Sequence, residues 1–309
     1  MTDAAERFQR SEADVRELMR TLSNWGRWGA DDERGALNHI TPEVRRRAAG
    51  LVREGTVVAA SRALPTEPAA DNPIPVRHLM VKSGLDRESF SSGDYFAVSP
   101  HGYSTTHLDA LCHVFDGGVM WGGLPREKVT SFGAERNAID AVSEGIFTRG
   151  VLLDMARLRG ADWLEPGDAI FPDDLEAAEE RAGVRVETGD FLLIRTGRFA
   201  YREARGAWDA STSLAGLHAS CLPWLHARQV AALGCDGVSD CIPSRVEKVR
   251  MPIHLVAIVA MGLHLLDNAD LEQLGAACAE RRRWEFLFVV APLVLRKGTG
   301  SPVTPLAIF

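Results

Sequence analysis

Short continuous apolar runs, each bounded by polar or turn-forming residues, recur along the chain and set its framework. Such runs at 151–154, Phe191–Arg195, 231–235, 286–292 and 304–308 predict buried strands, because a strand covered on both faces has no polar side to alternate with. Further strands are predicted at 56–60, 76–81, 94–99 and 104–110. Helical spacing appears at 5–20, where Phe8, Val15, Leu18 and Met19 stand among charges, as on a surface helix. Thr41 followed by Pro42 predicts a capped helix running to about residue 54, with Gly55 as its stop. Helices also fit Pro172–Ala182, 221–228 and 252–262. Asp173 and Asp174 favour the positive end of the Pro172–Ala182 helix. A Pro- and Ala-rich stretch at 65–75 predicts a surface excursion or the margin of a lid. The alternation of strands and helices, without an internal repeat, gives an α/β or α+β protein.

Composition changes this picture little. The 309 residues are 46% hydrophobic and 25% charged, ordinary for a globular protein with a full core. The net charge of −7 disfavours a nucleic-acid partner, since phosphates are repelled. The longest apolar stretch, 255–266, contains His264 and is too short to span a bilayer, so no membrane partner is expected. The five cysteines are odd in number and lack a C-x-x-C pair, and the opening residues lack a signal peptide, which together point to reduced thiols in a cytoplasm.

The candidate chemistry concentrates between 101 and 113. On an extended chain His107 and Asp109 project from one face, with Thr105 behind them, and such a pair can grip a divalent metal. His113 follows closely enough to act on whatever the metal holds, while His101 and Tyr103 stand just upstream. The simpler alternative is that these groups satisfy local backbone atoms, as polar residues at strand ends often do. Cys112 alternates away from His107 and Asp109 and reads as a packed thiol.

Thr106, His107, Asp109, Ala110 and His113 match in register the signature H-x-G-T-H-x-D-x-P-x-H. The chain thereby resembles the cyclase-like metal-dependent hydrolase family, the kynurenine formamidase and isatin hydrolase group. Segments 24–35, 150–154, 267–272, 291–293 and 298–303 extend the resemblance over most of 24–309. It implies a swivelling β/β/α arrangement, a mixed or barrel-like sheet flanked by helices. Residues 56–309 would form the hydrolase domain, with 1–55 a helical extension packed on it. It also implies a homodimer or homotetramer acting on a small molecule. Two departures stand out. Tyr103 takes the place of the signature's first histidine, and Leu111 that of its proline. A neutral phenol is a poor ligand for a divalent ion, so one metal per subunit is the simpler expectation, although His101 could compensate.

The resemblance places His254 and Asp267 among the metal ligands beside His107 and Asp109, with zinc and manganese both suited to such a set. Asp236 or Asp240, following the 231–235 run, is expected to assist catalysis by orienting an imidazole, with Asp236 preferred. Trp25 and Trp28 read either as core anchors or as an aromatic wall for a substrate that His101 and Tyr103 also touch. The glycines at 298 and 300 read as a hairpin turn rather than a phosphate loop, lacking the lysine and helix that a phosphate loop needs. The expected activity is hydrolysis of an amide or lactam C–N bond by metal-activated water, with His113 as general base. A lactone hydrolase, a metal-assisted lyase or dehydratase, and a non-catalytic binding protein remain alternatives.

Overall fold

A computed structural model describes residues 10–87 and 89–309. Strands of three or more residues are numbered β1 (Val57–Ala59), β2 (Arg77–Lys82), β3 (Gly93–Ala97), β4 (His107–Asp109), β5 (Ile146–Asp154) and β6 (Phe191–Arg195). They continue as β7 (Ala232–Cys235), β8 (His264–Asp267), β9 (Glu285–Val290), β10 (Gly300–Pro302) and β11 (Leu306–Ile308). Nine of them form one curled half-barrel sheet flanked by helices, in the order β1-β11-β9-β5-β6-β7-β8-β4-β10. β5, β6, β7 and β8 run parallel, and the flanking pairs are antiparallel. The apolar runs sit at its centre, where Leu152, Phe191, Leu192, Leu233 and Leu265 are fully buried. This is the mixed, barrel-like sheet that the family resemblance implied.

Local signals place several helix starts, but the helix from Pro42 stops at Ala49 with Gly50 as its C-cap, rather than running to about residue 54 and Gly55. In Pro42–Ala49 the Thr41 side chain accepts the Val44 N–H at 3.3 Å. In Pro172–Ala182 Asp174 accepts the Phe171 N–H at 2.8 Å, and Gly183 ends the helix with φ +62°. The first helix is Glu12–Thr21; residues 5–9 of the expected segment, Phe8 included, lie outside the described residues. It buries Val15 and packs on the segment Leu255–Met261. The stretch at 65–75 is tied inward, because buried Asp71 pairs with Arg202 at 2.6 Å.

Two expectations are corrected, those for 252–262 and for 298–301. The 252–262 segment begins as one α turn, Pro252–His254, and continues as a π-helix, Leu255–Met261, closed by Gly262 at φ +67°. The expected hairpin turn at 298–301 gives way to edge strand β10 from residue 300. Strands 76–81 and 94–99 form a separate hairpin, β2–β3, outside the main sheet. Strand β8 and the helices Arg198–Arg205 and Glu272–Arg281 were not anticipated. No helix among the described residues is long and apolar enough to cross a membrane.

Two buried histidines outside the cluster at 101–113 make stability pH-dependent. His218 Nδ1 accepts the Ser220 N–H at 3.2 Å, a role only the neutral ring can fill. Burial, helped by the charges of Arg10 and Arg245, pushes its pKa down to about 4. Burial, then the charges of Arg27 and His226, does the same to His39. Unfolded, both rings bind protons near 6.5, so acid favours the unfolded chain as pH falls from about 6.5 towards 4. Urea unfolding of the wild type and of a His39→Gln, His218→Gln variant should show the wild type losing more stability between pH 7.5 and pH 5. An equal loss in both would contradict neutral buried rings.

Candidate metal centre

Three segments meet at one end of the sheet to build the cluster. Strand β4 lies antiparallel to β8, with His107 opposite Asp267 and Leu108 opposite Leu266. Alternation sends Leu108 into the core and both His107 and Asp109 to the other face. Edge strand β10 covers the far side of β4, and a Cβ at Gly300 would come within 2.6 Å of the His101 ring. Only glycine leaves His101 its place. The α turn Pro252–His254 brings in His254 from the third side.

Around Asp109 Oδ1 stand His101 Nδ1 at 2.9 Å, His107 Nε2 at 3.4 Å and His113 Nε2 at 3.9 Å. His254 Nε2 lies 3.6 Å from Asp109 Oδ2 and 3.2 Å from Asp267 Oδ2. Both Asp109 oxygens are buried without a hydrogen-bond partner, and so are Asp267 Oδ1 and His101 Nδ1. Such short separations without hydrogen-bond alignment mean that the lone pairs converge on shared space. A buried carboxylate without donors is costly unless a cation neutralises it.

The imidazoles are set for that cation. His107 Nδ1 faces the Thr105 carbonyl at 2.8 Å, which as a pure acceptor makes this nitrogen the donor and leaves Nε2 its lone pair. His254 Nδ1 lies 2.7 Å from Asp240 Oδ2, and Asp240 also accepts the Ile253 and His254 N–H groups at 2.7 and 3.1 Å. A carboxylate behind an imidazole fixes its tautomer and raises its basicity towards a metal. Burial opposes charge on His254, but the Asp267 charge and the Asp240 and Asp267 hydrogen bonds hold its pKa well above 6.5. Burial likewise opposes charge on His107, yet Asp109 and Asp267 leave its pKa raised. His113 differs: burial pushes it down to about 4, with Asp109 pulling only partly the other way. Replacing Asp240 with Asn should therefore weaken metal binding about 10–100-fold, the usual effect of losing such a partner. Chelator competition measures this, and unchanged affinity would show that Asp240 does not act through His254.

The donors form two sets that share Asp109: His101, Asp109 and His113, and His107, Asp109 and Asp267, each with ligand atoms within 4.8 Å of one another. The expectation of a single ion rested on Tyr103, but His101 enters the cluster as a donor, so the arrangement can take one ion or two bridged ions. Tyr103 lines the adjacent cavity, and its carbonyl accepts from Arg198.

Asp236 is corrected. Its carboxylate accepts from the Thr196 N–H and hydroxyl, the Gly197 N–H and the Arg198 N–H, all within 3.2 Å, and is fully buried. It holds the turn into Arg198–Arg205 and has no contact with an imidazole; Asp240 does that. Trp25 and Trp28 are corrected as substrate wall. The Trp25 indole donates to the Val259 carbonyl at 2.7 Å, and Trp28 packs edge-on to His39 and beside Trp121, so both anchor the N-terminal segment. Asp267 stands at the end of β8, not at a helix end. Sequence reasoning missed Asn268, whose amide donates to the Gly102 and Thr105 carbonyls at 2.8 and 3.1 Å and so ties down the loop before β4. Its φ of +54° was the available signal, visible only in the fold. Cys112 is buried, its pKa pushed to about 12 by burial, which makes it inert.

Above the cluster opens a cavity of about 450 Å³. His101, His107, His113, His254 and Asp267 form its floor, and Tyr103, Val114, Val238, Val249, Met251 and Leu255 its apolar wall.

A family model described as "Putative cyclase" matches residues 24–239, which ends before His254 and Asp267. A solved structure described as a novel cyclase is 29% identical, covering 94% of this chain and 100% of its own, with a TM-score of 0.86. Isatin hydrolase A from Ralstonia solanacearum is 22% identical over 84% of this chain and 93% of its own, with a TM-score of 0.59. Isatin hydrolase A from Labrenzia aggregata, solved with benzyl benzoate, is 21% identical over 84% and 94%, with a TM-score of 0.60. At that identity the two hydrolases share the fold. No curated protein matches the chain.

Proposed function

The chain belongs to the putative cyclase family, and from that premise we propose that it is a metal-dependent hydrolase cleaving an amide or lactam C–N bond in a small cyclic or aromatic substrate. The observation that carries this reading is the Asp109 carboxylate, buried without hydrogen bonds among four imidazoles that line an accessible cavity. His107, Asp109, His254 and Asp267 would hold a divalent ion, zinc or manganese, and His101 with His113 would complete a second donor set. When bound, such an ion polarises a carbonyl and lowers the pKa of water. The names of the two isatin hydrolases place hydrolysis among the chemistries this fold carries.

The remaining roles belong to the chain. The apolar wall from Tyr103 to Leu255 suits a flat ring. His113 faces the cavity beside His101, their rings stacked at 3.7 Å; with one ion held by His107, Asp109, His254 and Asp267, its Nε2 stays free to take up a proton on the cavity side. Asp240 keeps His254 oriented while the substrate enters.

The test is turnover of small amides and lactams in ¹⁸O water by metal-replete protein. The product carboxylate should carry the label. Unlabelled elimination products, or a metal-replete protein inert towards amides and lactams, would overturn the reading.

A further inference from the structure

A second cavity, of about 450 Å³, shares no residue with the one above the metal centre. It opens at the carboxyl ends of β5 and β6, where Asp154 and Arg195 close the two parallel strands as register partners. Ligands of α/β proteins bind in crevices at that edge of a parallel sheet. The helices Pro172–Ala182 and Glu272–Arg281 flank it with Arg181 and Gly275.

Two groups in its wall are buried and unanswered. Asp154 Oδ1 accepts from Arg195 and from the Arg157 N–H, each at 2.9 Å. Its Oδ2 has no hydrogen-bond partner, although the side chain is only 2% exposed. Arg157 Nε, at 3.6 Å, stands too far off to answer it. Arg195 spends its terminal nitrogens on Asp154, Glu272 and the Asp162 carbonyl, and its Nε is left without an acceptor. Both orphaned atoms face one spot. A Cβ on Gly275 would lie 3.4 Å from Asp154 Oδ2 and 3.3 Å from Arg195 Nε. Glycine weakens a helix interior, yet here it keeps that spot open.

Further out, Arg157 and Arg181 are exposed, and Arg181 has no ion pair among the described residues. Beside them a niche of about 60 Å³ continues between Ala178, Ala182 and Trp284. A buried acceptor calls for a donor, and the guanidinium groups call for a carboxylate. A simple anion would meet Asp154, Asp162 and Glu272 in the same wall, and a simple cation would meet three guanidinium groups. A molecule carrying both charges close together answers all of them.

We propose that this cavity binds a small aliphatic α-amino acid. The ammonium lies over Gly275 and donates to Asp154 Oδ2. The carboxylate accepts from Arg195 Nε and from Arg181, and the side chain enters the niche beside Trp284. No imidazole, thiol or hydroxyl side chain lines the cavity, so the amino acid is held there and not transformed.

Calorimetric titration of the full-length, metal-loaded protein with L-valine tests this. Isobutylamine and 3-methylbutanoate keep the hydrocarbon of valine with one charge each. L-valine should bind saturably at one site per chain, and each analogue about tenfold or more weakly. Arg181→Ala should weaken L-valine to a similar degree, with metal content and the circular dichroism spectrum unchanged. Gly275→Ala should do the same by putting a methyl group on the ammonium's spot. Absence of saturable L-valine binding, an analogue that binds as well as L-valine, or undiminished binding to either variant would overturn the proposal. Amino acids also chelate metals. Binding lost in Asp109→Asn but kept in Arg181→Ala would place the valine on the metal centre and overturn the proposal as well.

Discussion

Asp109→Asn should strip the protein of metal. Asp109 is common to both donor sets, and its oxygens have no other partner. The amide keeps the shape but loses the charge and half the acceptor capacity. Loss of an outer partner costs about 10–100-fold in affinity, so loss of this shared ligand should exceed that. Elemental analysis should find the variant metal-free, whereas the wild type gives the ion count per chain, one or two. A purely structural Asp109 predicts the reverse pattern, metal retained and stability lost. Wild-type metal content in the variant would refute the centre.

Asp236→Ala should act on stability instead. The change orphans the Thr196, Gly197 and Arg198 N–H groups and deprives buried Arg198 of a nearby negative charge. Arg198 in turn contacts the Tyr103 carbonyl and the Asn268 side chain, so the loop before β4 loosens with it. Breaking a buried charged network of this kind costs about 3–5 kcal/mol. Urea denaturation should report it as a lower midpoint. Unchanged stability with lost turnover would return Asp236 to a catalytic role.

The expectations that succeeded and failed divide by sequence distance. The metal-facing pair His107 and Asp109 was legible because residues two apart on a strand share a face wherever the strand ends up. Pro172–Ala182 was legible from its proline start, acidic first turn and closing glycine, all within the helix. His254 was harder, since it ends a single α turn, Pro252–His254, and the contact with Asp240 decides where the imidazole points. His101 read as a substrate contact that could also compensate for Tyr103; the absence of a side chain at Gly300 leaves it room beside Asp109. Asp236 and Asp240 could not be told apart, as both follow β7. Only the packing of Arg198–Arg205 against one, and of His254 against the other, separates a structural carboxylate from one that supports an imidazole.

By itself the sequence determined the class of the sheet, the strands at its centre and the pairing of His107 with Asp109, because apolar runs and i, i+2 alternation are properties of the local chain. The tertiary structure decided which residues from 101, 240, 254 and 267 join them. That choice depends on strand order, on Asp267 standing opposite His107 across β4 and β8, and on the α turn that seats His254 beside Asp240. These are contacts between segments far apart in sequence, and they acquire a position only when the core closes around them.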